Sequence, residues 1–187
     1  TIQYTATTDK VTWLNLTNHT YWNLTGNFSK PAHRQILQIN ANQVYYNDDS
    51  HLPIYLKEVK NSPFDFTSPR SVANALRSNP THKQLRNALG YNNIYVLQNN
   101  LKPAVILADP VSGRCLTVAT DYPNLLFYSG GYLDGAGYTL DGQKINASSA
   151  YAFEAQYLPD APNRMGIYAP LLQPGEVYHK AITFHFN

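Results

Sequence analysis

The chain is poor in charge and in sulfur. Charged residues make up only 14% of its 187 residues, and 14 Lys and Arg stand against 12 Asp and Glu. No block of basic residues occurs, which argues against a nucleic-acid partner. Cys115 is the only cysteine, so an intrachain disulfide is excluded. A lone cysteine fits a reducing compartment, and we expect a cytoplasmic location, with secretion kept open as the alternative.

Sequence signatures of several protein classes are also missing. The sequence contains no apolar run of about 18 residues, so it predicts no membrane span and no membrane partner. Its six histidines show no zinc-ligand spacing, and neither a glycine-rich phosphate loop nor a Gly-x-Ser-x-Gly elbow occurs. These absences exclude the common metal, nucleotide and serine-hydrolase motifs and predict that no metal is bound.

Aromatic, hydroxyl and amide side chains are plentiful instead. Tyrosine alone occurs 15 times, and aromatic residues reach 13%. Aromatic rings favour strands because they pack well on a pleated surface. Hydroxyl and amide groups suit neutral hydroxylated ligands better than phosphates.

The order of short apolar segments predicts an all-β protein. Most are alternating and rich in β-branched or aromatic residues, and Gly, Pro, Asn and Asp turns separate them. The predicted strands are TIQYTAT, VTWLNLT, RQILQINA, NIYVL, AVILAD, RCLTVAT, NLLFYSG, YAFEAQYL and HKAITFHF. Two stretches around Pro80, Val72 to Leu76 and His82 to Leu89, predict short helices. The sequence therefore predicts a large antiparallel β-sandwich with one or two short helices.

Two titratable residues stand out as candidates for chemistry. His19 lies in the polar and aromatic run NLTNHTYWNL, where it is a core histidine, a sugar-facing ligand or a catalytic acid. Glu154 lies in YAFEAQYLPDAPN, where strand alternation puts Ala152 and Gln156 on its face. A carboxylate between apolar neighbours is costly to bury. Spacing alone leaves Glu154 open as an exposed strand residue, an ion-pair partner or a reactive group.

Several motifs together resemble the aldose 1-epimerase family, whose members are also called galactose mutarotases. NLTNHTYWNLTG resembles the histidine motif of that family, and FEAQYLPDAPN resembles its catalytic glutamate motif. Further similar segments follow in the family's order and span essentially the whole chain: SPFDFTSPRSV, GRCLTVATDYPNLLFYSGGYLDG and LQPGEVYHKAITFHF. The resemblance implies a mutarotase-type β-sandwich and an isomerase of hexose metabolism.

The resemblance also implies an acid–base mechanism. Such an enzyme interconverts the α and β anomers of aldohexoses such as glucose and galactose by opening the sugar ring. Glu154 would take the proton of the C1 hydroxyl, and His19 would protonate the ring oxygen. Tyr21 and Trp22 would help to shape the setting of His19, with Trp22 as a pure core residue as the alternative. No metal, nucleotide or redox cofactor is implied.

Two departures from the family pattern generate further expectations. The family has a preceding half with a second active-site histidine and a sugar-binding arginine, and nothing here matches it. Residues 1–187 are therefore expected to be the C-terminal part of one sandwich domain. A separate chain that carries the N-terminal part is one expected partner. In LGYNNIYVL, Asn92 and Asn93 replace the usual Asp-His pair, whose aspartate contacts a sugar hydroxyl.

We expect Asn92 and Gln156 to bind the sugar substrate, although a displaced and solvent-exposed Asn92 is the alternative. An amide can accept and donate hydrogen bonds but carries no charge. Two other functions stay open: a sugar-binding module without catalysis, and an inactive part of a mutarotase-like protein.

Overall fold

Antiparallel strands dominate the computed structural model, which describes residues 1–98, 101, 103–164, 166–168 and 170–187. The strands in these ranges are β1 Ile2–Ala6, β2 Thr12–Trp13, β3 Tyr21–Trp22, β4 Ile36–Ile39, β5 Ala41–Asn47, β6 Pro53–Glu58, β7 Arg70–Ser71, β8 Asn92–Leu97, β9 Val105–Ala108, β10 Cys115–Thr120, β11 Asn124–Tyr128, β12 Tyr151–Gln156, β13 Leu171–Leu172 and β14 Tyr178–Phe186. The helices are α1 Val72–Arg77 and α2 Lys83–Asn87, and Ala161–Asn163 form a 3₁₀ turn.

Two six-stranded sheets, counted over the described residues, form the body of the protein. The first has the order β1-β14-β10-β9-β4-β7, and the second has the order β3-β12-β11-β8-β5-β6. Strands β13 and β2 pair in a separate two-stranded ribbon. Apolar side chains of both large sheets, such as Leu107 and Val118 from the first and Phe127 and Phe153 from the second, share one buried cluster. The prediction of an antiparallel sandwich is confirmed.

Local signals account for the two short helices. The hydroxyl of Ser71 accepts a hydrogen bond from the backbone N–H of Asn74 and so caps the start of α1. The predicted pair of helices around Pro80 is thus confirmed, although α2 is shorter than the predicted span from His82 to Leu89. No helix in the described ranges is long and apolar enough to cross a bilayer.

The strand prediction fails in two ways: one predicted strand is too long, and several observed strands were not predicted. The predicted strand VTWLNLT is wrong beyond Trp13, since residues 14–20, all of which are described, have no regular structure. Their backbone groups bond side chains, such as those of Tyr122 and Asn18, and the carbonyl of Pro170, and form no ladder with a neighbouring strand. Strands β3, β5, β6, β7 and β13 were not predicted. Three of them, β3, β7 and β13, have only two residues each, and the turn-rich flanks of β5 and β6 obscure the alternation expected of a strand.

Strand β12 is the element that prepares the site. It lies between β3 and β11 in the second sheet, and each of its six residues is buried. A strand of a two-layered sandwich ordinarily buries only its inner face. Because β12 is covered on its outer face as well, a polar residue there is placed in a partly dehydrated environment on the side of the sheet away from the core.

Candidate active site

The segment that carries His19 is an irregular loop that leads into β3, the edge strand of the second sheet beside β12. The hydroxyl of Tyr122 donates to the carbonyl of Leu16 at 2.6 Å, and the N–H of Leu14 donates to the carbonyl of Pro170 at 3.0 Å. The loop then runs into β3, whose residues Tyr21 and Trp22 pair with β12. This path brings His19 to the strand that carries Glu154.

His19 and Glu154 are in direct contact. The Nε2 atom of His19 lies 3.3 Å from the Oε1 atom of Glu154. The side chain of His19 is 48% exposed, whereas that of Glu154 is only 12% exposed, so the imidazole faces solvent and the carboxyl lies beneath it. The two candidates, 135 residues apart in the chain, therefore form one site, although their catalytic roles stay a prediction.

The environment of Glu154 makes its carboxyl more basic than usual. Burial raises the pKa of Glu154, while a positive charge on His19 lowers it, and burial has the larger effect. Leu126 of β11 lies opposite Glu154 and supplies an apolar neighbour on the same face of the sheet. A carboxyl group whose pKa is raised towards neutrality suits the work of a general base.

Tyrosine rings surround the pair. The ring centre of Tyr21 lies 4.8 Å from that of His19, and Tyr128 meets the imidazole edge-on at 6.3 Å. Trp22 points the other way, because neighbouring strand residues face opposite sides of the sheet. Its indole packs on Phe184 at 4.9 Å and joins the core. The expected role of Trp22 in shaping the site is therefore wrong, and the alternative of a core residue holds.

The register of the sheet places Asn92 on the same face as Glu154. Asn92 lies opposite Tyr128 in β11, and Tyr128 lies opposite Ala152, two residues before Glu154. Asn92 is half-buried on a regular strand, so the alternative of a displaced, solvent-exposed loop is wrong. Asn93 faces the opposite side, where its amide bonds the carbonyl of Tyr45 at 2.9 Å.

Gln156 also lies on the face that carries Glu154. It follows Glu154 by two residues on β12 and lies opposite Asn124 of β11. Both side chains are buried. The expected grouping of Glu154, Gln156 and Asn92 on one face is thus present, while sugar binding by the two amides stays a prediction.

Sequence reasoning missed Tyr128 and Tyr132. The Tyr128 hydroxyl accepts a hydrogen bond from the Tyr132 N–H at 2.8 Å, and the two rings stack at 6.5 Å. Gly130 makes the intervening turn with a φ of +74°, and a Cβ there would meet the carbonyl oxygen of Ala150 at 2.4 Å. The side chain of Tyr132 stays half exposed at the edge of the site. The run FYSGGY is consistent with this turn, but only the tertiary structure shows that the ring of Tyr128 adjoins His19.

Acidic and imidazole groups do not cluster further in the described part of the chain. Within it, no group of three or more His, Cys, Asp or Glu side chains is arranged to hold a metal ion. The polar groups of the site are one imidazole, one carboxyl, amides and phenols. Such a set can donate and accept protons and hydrogen bonds at a neutral, hydroxylated ligand.

Comparison with known proteins identifies the family of the chain. The family model of aldose 1-epimerase matches residues 1–185. The chain belongs to the aldose 1-epimerase family. It is 30% identical to the galactose mutarotase of Rattus norvegicus and 32% identical to the aldose 1-epimerase of Haemophilus influenzae, over the whole of this chain and 53% and 55% of those proteins.

Solved structures show the same architecture. An aldose epimerase homologue from C. elegans superposes with a TM-score of 0.85 at 28% identity, over 99% of this chain and 55% of that one. Galactose 1-epimerase from Lactobacillus acidophilus NCFM gives a TM-score of 0.82 at 29% identity, over 99% and 52%. These matches confirm the predicted fold, a β-sandwich of the galactose mutarotase type. The chain spans about half the length of the relatives it matches.

The burial of Glu154 predicts an effect on stability. Below the pKa of the unfolded state the carboxyl is neutral in both states. As pH rises, the unfolded state ionises first, so a carboxyl whose pKa is raised in the folded state lowers the free energy of unfolding. Glu154→Gln should therefore gain stability relative to the parent protein at pH 7 compared with pH 3.5, as measured by chemical denaturation at both values.

Glu58→Gln is the matched control for this measurement, since Glu58 is exposed on the edge strand β6. It should show no comparable change between the two pH values. A Glu154→Gln protein that loses as much stability at pH 7 as at pH 3.5 would contradict the burial argument.

Proposed function

We propose that the whole protein interconverts the α and β anomers of aldohexoses such as glucose and galactose by acid–base ring opening. The observation that carries the proposal is the contact of His19 Nε2 with Glu154 Oε1 at 3.3 Å, in a chain of the aldose 1-epimerase family. Galactose enters through the names of the relatives, which include galactose mutarotases. The tyrosine-rich and weakly charged setting supports a neutral sugar.

The chemistry requires two proton transfers in opposite directions. The Glu154 carboxylate takes the proton of the C1 hydroxyl while protonated His19 donates a proton to the ring oxygen. The electrons of the C1–O5 bond move to O5, and those of the O–H bond form the carbonyl of the open aldehyde. Rotation about C1–C2 presents the other face of the aldehyde. The reverse transfers then close the ring as the opposite anomer and restore both groups.

The geometry suits this exchange in two respects. O5 and the C1 hydroxyl are bonded to the same carbon, so the acid and the base must lie side by side, as His19 and Glu154 do. The raised pKa of Glu154 strengthens it as a base. A bound sugar would take the place of the direct contact, with its C1 hydroxyl towards Glu154 and its ring oxygen towards His19.

Binding of the remaining hydroxyls is assigned to amides and rings. Asn92 and Gln156 lie on the face of Glu154, and each amide can both donate to and accept from a hydroxyl. Tyr21 and Tyr132 have exposed ring surface at the edge of the site, against which the apolar face of a pyranose can pack.

Cys115 is a free cysteine, which supports the further proposal of a cytoplasmic location.

Removing either proton-transfer group should abolish most of the activity. Glu154→Gln is nearly isosteric but cannot accept the proton, and His19→Asn cannot donate one to O5. Each should lower kcat by roughly 10²–10⁴-fold. Polarimetry of freshly dissolved α-glucose or α-galactose, corrected for the spontaneous rate, measures this in the whole protein.

A near-parental rate in either variant would refute the role given to that residue. If the parent protein itself binds galactose without accelerating mutarotation, the protein is a sugar-binding module rather than an enzyme.

The amide of Asn92 should influence sugar preference. Asn92→Asp supplies a charged acceptor, and hydrogen bonds to charged groups are stronger than neutral ones. We expect about a five- to tenfold change in the ratio of kcat/KM for galactose and glucose. Asn146→Asp is the control, because Asn146 is half-buried in a loop where its amide bonds the carbonyl of Ser29. Equal ratios in all three proteins would show that Asn92 does not touch the sugar.

We propose that residues 1–187 need further polypeptide to form a working site and a stable sandwich. The chain matches about half of each relative, and large apolar side chains such as Trp13 and Tyr55 are exposed at strands β2 and β6. Uncovered apolar faces and sheet edges favour aggregation. The covering segment is proposed to be the N-terminal half of the family domain, in the same chain or as a separate one.

Expression of residues 1–187 alone tests this proposal. We expect poor solubility, weak cooperativity on melting and little mutarotation, because catalytic groups that act as a unit lose most of their effect when one is absent. A soluble monomer that melts cooperatively and is fully active would overturn it. A histidine of this segment (His33, His51 or His82) would then act as the second one, and His51 lies 3.2 Å from the Tyr132 hydroxyl.

A further inference from the structure

The side chain of Asn15 bonds the backbone of Tyr157 twice. Its Nδ2 atom donates to the Tyr157 carbonyl at 3.1 Å, and its Oδ1 atom accepts from the Tyr157 N–H at 2.9 Å. This is the exchange that two backbone residues make in a hydrogen-bonded pair of an antiparallel ladder. A side-chain amide can imitate it because its donor and acceptor lie side by side. Asn15 thus extends the pairing of β12 one residue beyond Gln156.

A second attachment of the same loop lies at the other end of β12. Tyr21 pairs with Ala152, and Trp22 pairs with Tyr151. Glu154 lies between the two attachments, and His19 lies between Asn15 and Tyr21 in the loop. The loop therefore runs alongside β12 and is fixed to it on both sides of the carboxyl group.

The other contacts of the loop hold it to different parts of the molecule. Leu16 is held by Tyr122, which precedes β11, and Leu14 is held by Pro170, which precedes β13. Neither contact fixes the loop relative to the backbone of β12. Among the described contacts of the residues before His19, the two hydrogen bonds of Asn15 attach the loop directly to the strand that carries Glu154.

We infer that Asn15 is a positioning residue that holds His19 against Glu154. It acts through the loop and does not itself face the pair. The consequence for catalysis rests on the proposed function, whereas the consequence for the geometry of the pair does not. The two can therefore be tested apart.

The geometric arm measures the pKa of the Glu154 carboxyl by carbon NMR in the whole protein. The titratable groups that face Glu154 are His19 and, among the phenols, Tyr21, with Tyr128 behind it. Burial raises the pKa of both tyrosines, so they stay neutral while Glu154 titrates. A change in the distance of His19 therefore appears as a change in the pKa of Glu154.

Four proteins complete this measurement: the parent, Asn15→Ala, His19→Asn and the double variant. In the parent background His19→Asn should raise the pKa of Glu154, because it removes a charge that lowers it. Asn15→Ala should also raise it, and His19→Asn should then add little. The inference is overturned if Asn15→Ala leaves both the pKa of Glu154 and its response to His19→Asn unchanged.

The control variant is Asn40→Ala. The Asn40 amide also bonds a backbone carbonyl, that of Pro103 at 2.5 Å, but it lies between β4 and β5, away from β12. It should leave the pKa of Glu154 unchanged. Asn15 is solvent-exposed, so its truncation leaves no cavity in the core. Asn15→Ser is the milder second variant, and failure of both Asn15 variants to fold would make the residue a folding requirement and overturn the inference.

The catalytic arm follows mutarotation by polarimetry. A misplaced acid lowers the rate without removing sugar contacts, so Asn15→Ala should lower kcat by up to about 10²-fold with little change in KM. The acid limb of its pH–rate profile should move to higher pH together with the pKa of Glu154. A fall in activity that follows only the loss of folded protein, with an unmoved acid limb, would count against the inference. Inactivity of the parent protein would instead refute the proposed function.

Discussion

The double burial of strand β12 is the constraint on which the site depends. Its inner face contributes Phe153 and Ala155 to the sandwich core, and its outer face is covered as well. An outer position on an ordinary sandwich strand would be wet, and a carboxyl there would ionise as in water. Under this cover the pKa of Glu154 is raised, because burial disfavours the charged form of the carboxyl.

Such a carboxyl is a cost to folding, and the surrounding structure offsets it. The ladder from β3 through β12 and β11 to β8 fixes Glu154 between Leu126 and the His19 loop. Groups that are dehydrated for a function are retained because the remainder of the fold over-determines their position. The large aromatic core beneath, in which Phe127 stacks on Phe153 at 5.6 Å, supplies that rigidity.

Polar side chains fix the path of the irregular loop that carries His19. Asn15, Asn18 and Asn23 each bond backbone groups, so amides replace the ladder that a strand would have used. This is why the segment looks like a strand in its pattern of apolar residues and yet is not one after Trp13. Asparagine competes with regular structure by offering the backbone a local partner.

The sequence by itself determined the class of fold, because strand alternation and turn residues are local properties. It also determined the family, because His19, Glu154 and their neighbours lie in motifs that can be recognised in order. Only the tertiary structure decided that these two side chains touch and that Asn92 shares their face. The same holds for Trp22, which faces the core. Each of these depends on which residues of β3, β8, β11 and β12 lie opposite one another, and a shift of one residue would send every side chain to the other face.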